Sequence, residues 1–159
     1  NGSKLLASML MIIGGSPAGT AGGIKTTTVA VLLLTAISVL RGNKDTECYG
    51  RKITFEIIRV GITITLVTFV FWLFGVTVMT VIEPQQKVLD LMFEATSAMA
   101  TVGLTADLTP VLSDISHVVL MLMMYIGRIG PMTMALIFSG HVDKKNQFRT
   151  LPEAKIMVG

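Results

Sequence analysis

The tripeptide Thr101-Val102-Gly103 is a stretch whose backbone could bind an ion. In a cation pore, a short extended segment after a re-entrant helix turns its carbonyl oxygens toward the axis, where they replace the water shell of K+. Glycine suits such a segment because its backbone reaches conformations that other residues avoid. The C-terminus of the preceding helix adds the negative end of a helix dipole. The tripeptide therefore predicts a K+-selective filter, and the alternative is an ordinary loop between helices.

The second such stretch is the glycine-rich segment 14–23, which is followed by Lys25. A phosphate loop starting at Gly19 would place Lys25 and Thr26 correctly, but Ile24 stands where its second glycine is needed. The flanking segments are apolar half-helices, which also disfavours nucleotide binding. We interpret the segment as irregular backbone at membrane depth, which is tolerated only inside protein or beside a water-filled cavity. A flexible kink in a membrane helix is the structural alternative.

Arg128 is a formal charge inside an otherwise apolar stretch. A charge at mid-membrane costs at least ~2.5–3.5 kcal/mol, so we expect Arg128 to face the protein interior. Its expected partners are the free carbonyls of residues 14–23 or the carboxylate of Glu94. Arg128 would then clamp the structure, or raise the barrier to cations below a filter, or do both. Glu94 itself is expected to support its helix rather than to bind an ion.

The other polar residues do not predict catalysis. Asp107 and Asp114 could concentrate cations at an outer mouth. His117 and His141 lie at opposite ends of one predicted helix and cannot share a metal ion. We find no nucleophile with a general base and no spacing of metal ligands. The sequence predicts neither an enzyme nor a metal site beyond K+.

The composition predicts which kind of protein must position these residues. Hydrophobic residues make up 52% and charged residues 14% of the 159 residues, whereas soluble domains carry about 25% charged residues. The net charge of +3 is too small to indicate nucleic acid binding, and the single Cys48 excludes an internal disulfide. We therefore predict an all-α integral membrane protein.

Three apolar stretches are long enough to span a bilayer, and two of them are interrupted. They are residues 60–82, residues 115–140 and residues 5–40. The first has no charged residue and would form about 35 Å of helix, with Trp72 packing in its middle. The second is interrupted near Gly127, Gly130 and Pro131. The third is broken by the glycine-rich segment.

A shorter helix is predicted between the first two spans. Val88, Leu91, Met92, Ala95 and Met99 lie three or four positions apart and form one helical face. With Pro84 near its start the helix would have about 15 residues, which is too short to span and is typical of a re-entrant segment.

The basic residues and an internal similarity indicate the topology. Nine of the 13 Lys and Arg residues lie in residues 41–59 or 143–159, which we therefore place in the cytoplasm. Shifting the chain by 113 positions places residues 5–14 over residues 118–127, and both runs break at glycine and proline. The chain then consists of half of one unit and one whole unit, in the order helix, re-entrant helix, filter, helix. Several such units must surround one axis to enclose a pore.

The sequence resembles the Trk/Ktr/HKT potassium transporters. The similar segments are GGSPAGTAGGIKTT, FEATSAMATVGLTADLTP, YIGRIGPMTMAL and PEAKIMVG, in that family's order. The best resemblance is to the membrane subunit of the bacterial Ktr or Trk type, which has four helix–pore-loop–helix repeats in one chain. This chain is similar to its C-terminal part, so we expect a fragment.

The resemblance implies a division of the chain and a role for each part. Residues 1–41 would be the second helix of the third repeat, broken by an intramembrane loop at 14–25. Residues 42–58 would be a cytoplasmic loop, residues 59–142 the fourth repeat and residues 143–159 a cytoplasmic tail. The implied filter residues are Thr101, Val102, Gly103 and Leu104. The implied gate residues are Gly14, Gly15, Ser16, Pro17, Ala18, Gly19, Thr20, Ala21, Gly22, Gly23, Lys25 and Arg128.

The implied function is K+ uptake across the cell membrane by a multi-pass subunit, without a bound cofactor. The resemblance also implies homodimers on a cytosolic ring of nucleotide-binding regulatory subunits, and it leaves open whether Na+ or H+ accompanies K+. The alternative function is that of a small, non-transporting membrane subunit for assembly or anchoring.

Overall fold

The chain is mostly α-helical in the computed structural model, which describes residues 2–16, 22–42, 45–48 and 51–129. The helices are α1 (Gly2–Ile12), α2 (Thr26–Leu40), α3 (Phe55–Ile82), α4 (Val88–Met99) and α5 (Asp114–Ile129). The prediction of a helical protein is confirmed, with one small departure. Strands β1 (Glu47–Cys48) and β2 (Arg51–Lys52) pair as an antiparallel hairpin in the loop between α2 and α3.

Helix α3 contains the predicted span 60–82 and begins five residues earlier. Its 28 residues give a length of about 42 Å. Among the described residues, it is the one helix that is long and apolar enough to cross a membrane. Five threonines on it donate their hydroxyl protons to the carbonyl four residues back, which satisfies these polar groups within the helix.

Helix α4 is the predicted short helix, and it is the most enclosed element. Eight of its 12 residues are buried, and it packs against α1, α3 and α5. It begins at Val88, so the predicted start near Pro84 is wrong. The reason is a turn before the helix, in which the Gln86 amide bonds to the Glu83 carbonyl and the first helical bonds are made to the Lys87 carbonyl.

The core lies where α3, α4 and α5 meet. Met79, Leu91 and Ala95 are fully buried there, and Leu120 and Met123 of α5 pack against them. In a bilayer, helices associate through close packing and small residues rather than through exclusion of water. Ala95 and Ala98 are small buried residues of this core, and Gly127 allows α5 to approach Met99 of α4 closely.

The apolar stretch 5–40 is divided between two helices, as its glycine-rich segment predicts. Helix α1 ends at Ile12, and α2 begins only at Thr26. Ile13 and Ile24 form a parallel bridge, and the Gly14 amide donates to the Ile24 carbonyl at 2.7 Å. We call residues 13–15 and 24–26 the neck, because they tie together the two ends of the glycine-rich segment.

The apolar stretch 115–140 differs from its prediction at Gly127. Helix α5 continues through Gly127 to Ile129, so Gly127 does not break it. The predicted break at Gly130 and Pro131, His141 and the predicted tail 143–159 lie outside the described residues.

Candidate functional site

Residues 101–104, which we call the TVGL segment, follow directly on the C-terminus of α4 and have no regular secondary structure beyond an initial turn. The Thr101 amide donates to the Ala98 carbonyl at 3.0 Å, and the Val102 amide donates to the Ser97 carbonyl at 2.9 Å. This pair of bonds is the Schellman motif, which places its central residue in the left-handed region. Thr101 occupies that position with φ of 53°.

A threonine in this position is unusual, because glycine normally takes it and a β-branched residue is strained there. The Thr101 hydroxyl oxygen accepts a hydrogen bond from the Gly22 amide at 2.8 Å. A glycine could not accept this bond. The first residue of the TVGL segment is therefore joined to the glycine-rich segment, 79 positions away in the chain.

Gly103 is the second residue of the TVGL segment in the left-handed region, with φ of 83°. A Cβ atom there would meet no other atom within 4 Å, so the backbone conformation rather than space favours glycine. The prediction that this segment needs glycine for its conformation is confirmed.

The TVGL segment and the neck line one groove. The groove has a volume of about 560 Å³, and Val102 and Leu104 lie on it together with Gly14, Gly15 and residues of α1. The side chains of Val102 and Leu104 are 45% and 53% exposed. The structure thus brings the predicted filter residues and part of the predicted gate to the same open surface.

Helix α5 approaches the end of α4 and the glycine-rich segment. A Cβ atom on Gly127 would lie 1.9 Å from the Met99 carbonyl oxygen, and one on Gly22 would lie 3.0 Å from the Gly127 carbonyl oxygen. The glycine-rich segment, the end of α4 and α5 therefore converge at Gly22, Thr101 and Gly127.

The sequence predicts that Arg128 faces the protein interior and meets either Glu94 or the carbonyls of residues 14–23, which lie partly outside the described residues. Its side chain is exposed, and no ion pair joins it to Glu94 within the part of the chain that the structure describes. The buried residues of α5 are Ser116, Leu120, Met123 and Gly127, spaced four, three and four apart. Arg128 is one residue further and so lies beside the buried face rather than on it.

The other predicted gate residues lie only partly in the described chain. Gly14 and Gly15 belong to the neck, Gly22 and Gly23 lie near the end of α4, and Lys25 precedes α2. Ser16 is the last described residue before the gap, and the description resumes at Gly22. Residues 17–21 (Pro17, Ala18, Gly19, Thr20 and Ala21) lie outside the described residues.

Glu94 joins its helix, α4, to the loop 105–109 that follows the TVGL segment. Its carboxylate is buried and accepts hydrogen bonds from the Thr105 hydroxyl, the Ala106 amide at 2.9 Å and the Thr109 hydroxyl at 2.8 Å. These residues follow the TVGL segment. No pattern in the sequence indicates this network, although its members lie within 15 positions of Glu94.

Trp72 has the packing role predicted for it. It packs against the core, and its indole Nε1 donates to the Thr96 hydroxyl at 3.0 Å. Thr96 is buried on α4, so this bond joins the long helix to the short one. A buried indole N–H usually needs such an acceptor.

The far end of α3 is joined to the start of α5 by Glu83. Its carboxylate accepts bonds from the Ser113 amide at 2.8 Å and the Ser116 hydroxyl at 2.9 Å. Hydrogen bonds from the side chain and backbone of Ser113 and from Ser116 lower the pKa of Glu83 below its ordinary value. Within the described residues, no three His, Cys, Asp or Glu side chains form a group that could hold a metal ion.

These observations describe a helical protein with an apolar helix of membrane-spanning length and a buried short helix that ends in an exposed, irregular segment. Residues 2–149 match the family model described as TrkH, cation transport protein. The chain belongs to this family of membrane transport proteins. The predicted resemblance is confirmed, and the relatives that this chain matches are named as transport or uptake proteins rather than enzymes.

Similar proteins include the Ktr system potassium uptake protein B of Bacillus subtilis, which is 35% identical over 158 residues, covering 99% of this chain and 35% of that protein. The potassium/sodium uptake protein NtpJ of Enterococcus hirae is 35% identical, over 98% of this chain and 35% of that protein. The Ktr system potassium uptake protein D of Bacillus subtilis is 33% identical, over 94% of this chain and 33% of that protein. The chain thus spans about a third of the length of the curated relatives it matches.

Proposed function

We propose that this chain is part of the membrane subunit of a K+ uptake system and that its TVGL segment is one of the filter segments. The observation that carries the proposal is the TVGL segment itself. It leaves the buried C-terminus of a short helix with two left-handed residues and lies on an open groove. Carbonyls of such a segment can replace the hydration shell of K+.

The length of α4 supports a re-entrant arrangement. Its 12 residues give about 18 Å of helix, which is shorter than a hydrocarbon core of about 30 Å. A helix that enters the membrane and stops there leaves its C-terminal dipole next to the residues that follow. In this protein those residues are the TVGL segment, where a cation would be stabilised.

The glycine-rich segment is proposed to gate the groove below the filter. The neck fixes the ends of the segment, and the Gly22 amide touches the first filter residue. Lys25 and Arg128 belong to the same proposed gate. Arg128 directly follows Gly127, whose carbonyl oxygen adjoins Gly22 of the glycine-rich segment.

The proposal also includes the membrane topology of the subunit and its partner subunits. It would be a multi-pass protein of the cell membrane, with residues 41–59 on the cytoplasmic side. It would form a homodimer on a cytosolic ring of nucleotide-binding regulatory subunits. The name of the Enterococcus hirae relative includes sodium. We therefore propose Na+ as a second candidate ion, either transported or coupled to K+, and its uptake should be measured beside that of K+.

The proposal is tested by K+ uptake. The full-length subunit, with its regulatory partner, is produced in a bacterial strain that lacks K+ uptake. We expect growth at low external K+ and saturable uptake of K+. Residues 1–159 alone should give no uptake, because one filter segment cannot enclose a pore. If the full-length protein reaches the membrane and gives no uptake, the proposal is wrong and an anchoring role is favoured.

A further inference from the structure

Glu94 is the most enclosed acidic side chain near the proposed filter. It is 4% exposed and lies on α4 among Ala95, Thr96 and other buried residues. A charged side chain in such a place is retained only with partners. Its partners among the described residues are hydrogen-bond donors from the loop that follows the TVGL segment.

The geometry of this network holds the loop at three points. Glu94 Oε1 accepts from the Thr105 hydroxyl and the Ala106 amide, and Oε2 lies 2.8 Å from the Thr109 hydroxyl. The Thr109 hydroxyl is also 2.9 Å from the Thr105 hydroxyl. A carboxylate accepts only, so it suits a site where donors converge.

The TVGL segment is therefore fixed at both ends. At its start, the Schellman motif and the Gly22 amide hold Thr101. At its end, Glu94 holds Thr105, which directly follows Leu104. Between these two points, a Cβ atom on Gly103 would meet none of the described residues within 4 Å, so the contacts at the two ends are the ones that hold the segment in the described part of the chain.

We propose that Glu94 is a positioning residue for ion selectivity, which sets the backbone of the TVGL segment by holding the loop behind it. This inference rests on the proposed function, because it assumes that the TVGL segment is a filter. Discrimination between K+ and Na+ depends on the number and placement of the filter carbonyls. A loop released at residue 105 lets these carbonyls move, and the selectivity falls.

The role of hydrogen bonding can be separated from the role of charge. In Glu94→Gln, the amide oxygen can still accept from Thr105 and Ala106. The amide nitrogen can donate to the Thr109 hydroxyl, whose proton then turns to Thr105. The variant removes the charge and keeps the network, whereas Glu94→Ala removes both.

The experiment measures K+ uptake and its competition by Na+ in the full-length protein with its regulatory partner. The test variants are Glu94→Ala, Glu94→Gln and the double variant Thr105→Val with Thr109→Val. Matched controls are Glu56→Ala, an exposed acid at the start of α3, and Thr77→Val, whose hydroxyl bonds only within α3 among the described residues. The amount of each protein in the membrane is measured in parallel.

We expect Glu94→Ala and the double variant to lower the K+/Na+ selectivity by about tenfold or more, the effect of losing hydrogen bonds to a charged group. Glu94→Gln should recover most of the selectivity, and both controls should behave as the wild type. If Glu94→Ala does not reach the membrane, the double variant decides. Wild-type selectivity in the double variant, or a loss in Glu94→Gln as large as in Glu94→Ala, would overturn the inference.

A parallel measurement on Gly103→Ser separates this inference from the proposed function. If Gly103→Ser lowers selectivity and the Glu94 variants do not, the filter assignment stands and the role of Glu94 is wrong. If the wild type takes up no K+, the proposed function itself is wrong.

Discussion

Thr101 shows how one residue serves two structural purposes. Its left-handed backbone closes the end of α4, and its hydroxyl accepts the Gly22 amide. A residue held in a sparsely populated backbone region costs about 1–3 kcal/mol, and such residues cluster at functional sites. The strain is offset here by a bond that glycine could not make. Thr101 thereby connects the proposed filter to the proposed gate.

Gly127 gives a prediction about stability at the residue scale. In Gly127→Ala the new methyl group would lie 1.9 Å from the Met99 carbonyl oxygen. Backbone cannot yield as a flexible side chain can, so α5 must shift away from α4. We expect a loss of about 1–3 kcal/mol, the usual cost of overpacking, measured as a lower Tm of the purified full-length protein.

Gly61→Ala is the matched control for that variant. Gly61 also lies in a helix, but a Cβ there would meet Thr28 and Leu32 side chains at 3.6 Å and beyond, which is ordinary contact. Its Tm should stay at or slightly above that of the wild type, because alanine favours helix. Equal Tm values for Gly127→Ala and the wild type would contradict the close approach of α4 and α5.

At the scale of elements, the neck makes the glycine-rich segment a separate unit. The bridge between Ile13 and Ile24 and the bond from the Thr26 amide to the Gly15 carbonyl join its two ends. Residues can therefore be removed from the segment without separating α1 from α2.

Removal of residues 16–21 in the full-length protein tests the gate. We expect a higher K+ flux in the absence of the regulatory partner, because the barrier below the filter is removed. The K+/Na+ selectivity should be unchanged, since the TVGL segment is intact, and this ratio serves as the internal control. Flux equal to that of the wild type, with equal protein in the membrane, would count against a gate in this segment.

Periodicity predicts the helices of this chain well and their ends less well. The apolar face from Val88 to Met99 indicates α4, but the turn before Val88 depends on backbone bonds to Glu83 and Lys87 that no pattern reports. Gly127 looks like a helix breaker, yet it lies within α5, where its missing side chain permits the close approach to Met99.

The site is predictable in its residues but not in its connections. Gly103 is recognisable because its conformation is a local property. The bond between Gly22 and Thr101 joins positions 79 apart, and the Glu94 network depends on how a loop folds back. The exposure of Arg128 is set by the rotation of α5, which a single charge in an apolar run does not determine.

At the scale of the whole molecule, the described surface is strongly apolar. Large side chains such as Leu40, Phe55 and Phe74 are 86%, 74% and 68% exposed. A surface of this kind needs lipid or further protein against it. The relatives are about three times as long as this chain, so other repeats of a full-length protein are the proposed cover for part of it.

The central claim is that the TVGL segment selects K+, and the Gly103→Ser variant of the full-length protein tests it most directly. The serine side chain has room, but the left-handed backbone costs a residue with a Cβ about 1–2 kcal/mol. The segment should relax, and the measured ratio of K+ to Na+ uptake should fall while K+ uptake continues. An unchanged ratio, with the variant present in the membrane at the wild-type level, would contradict the filter.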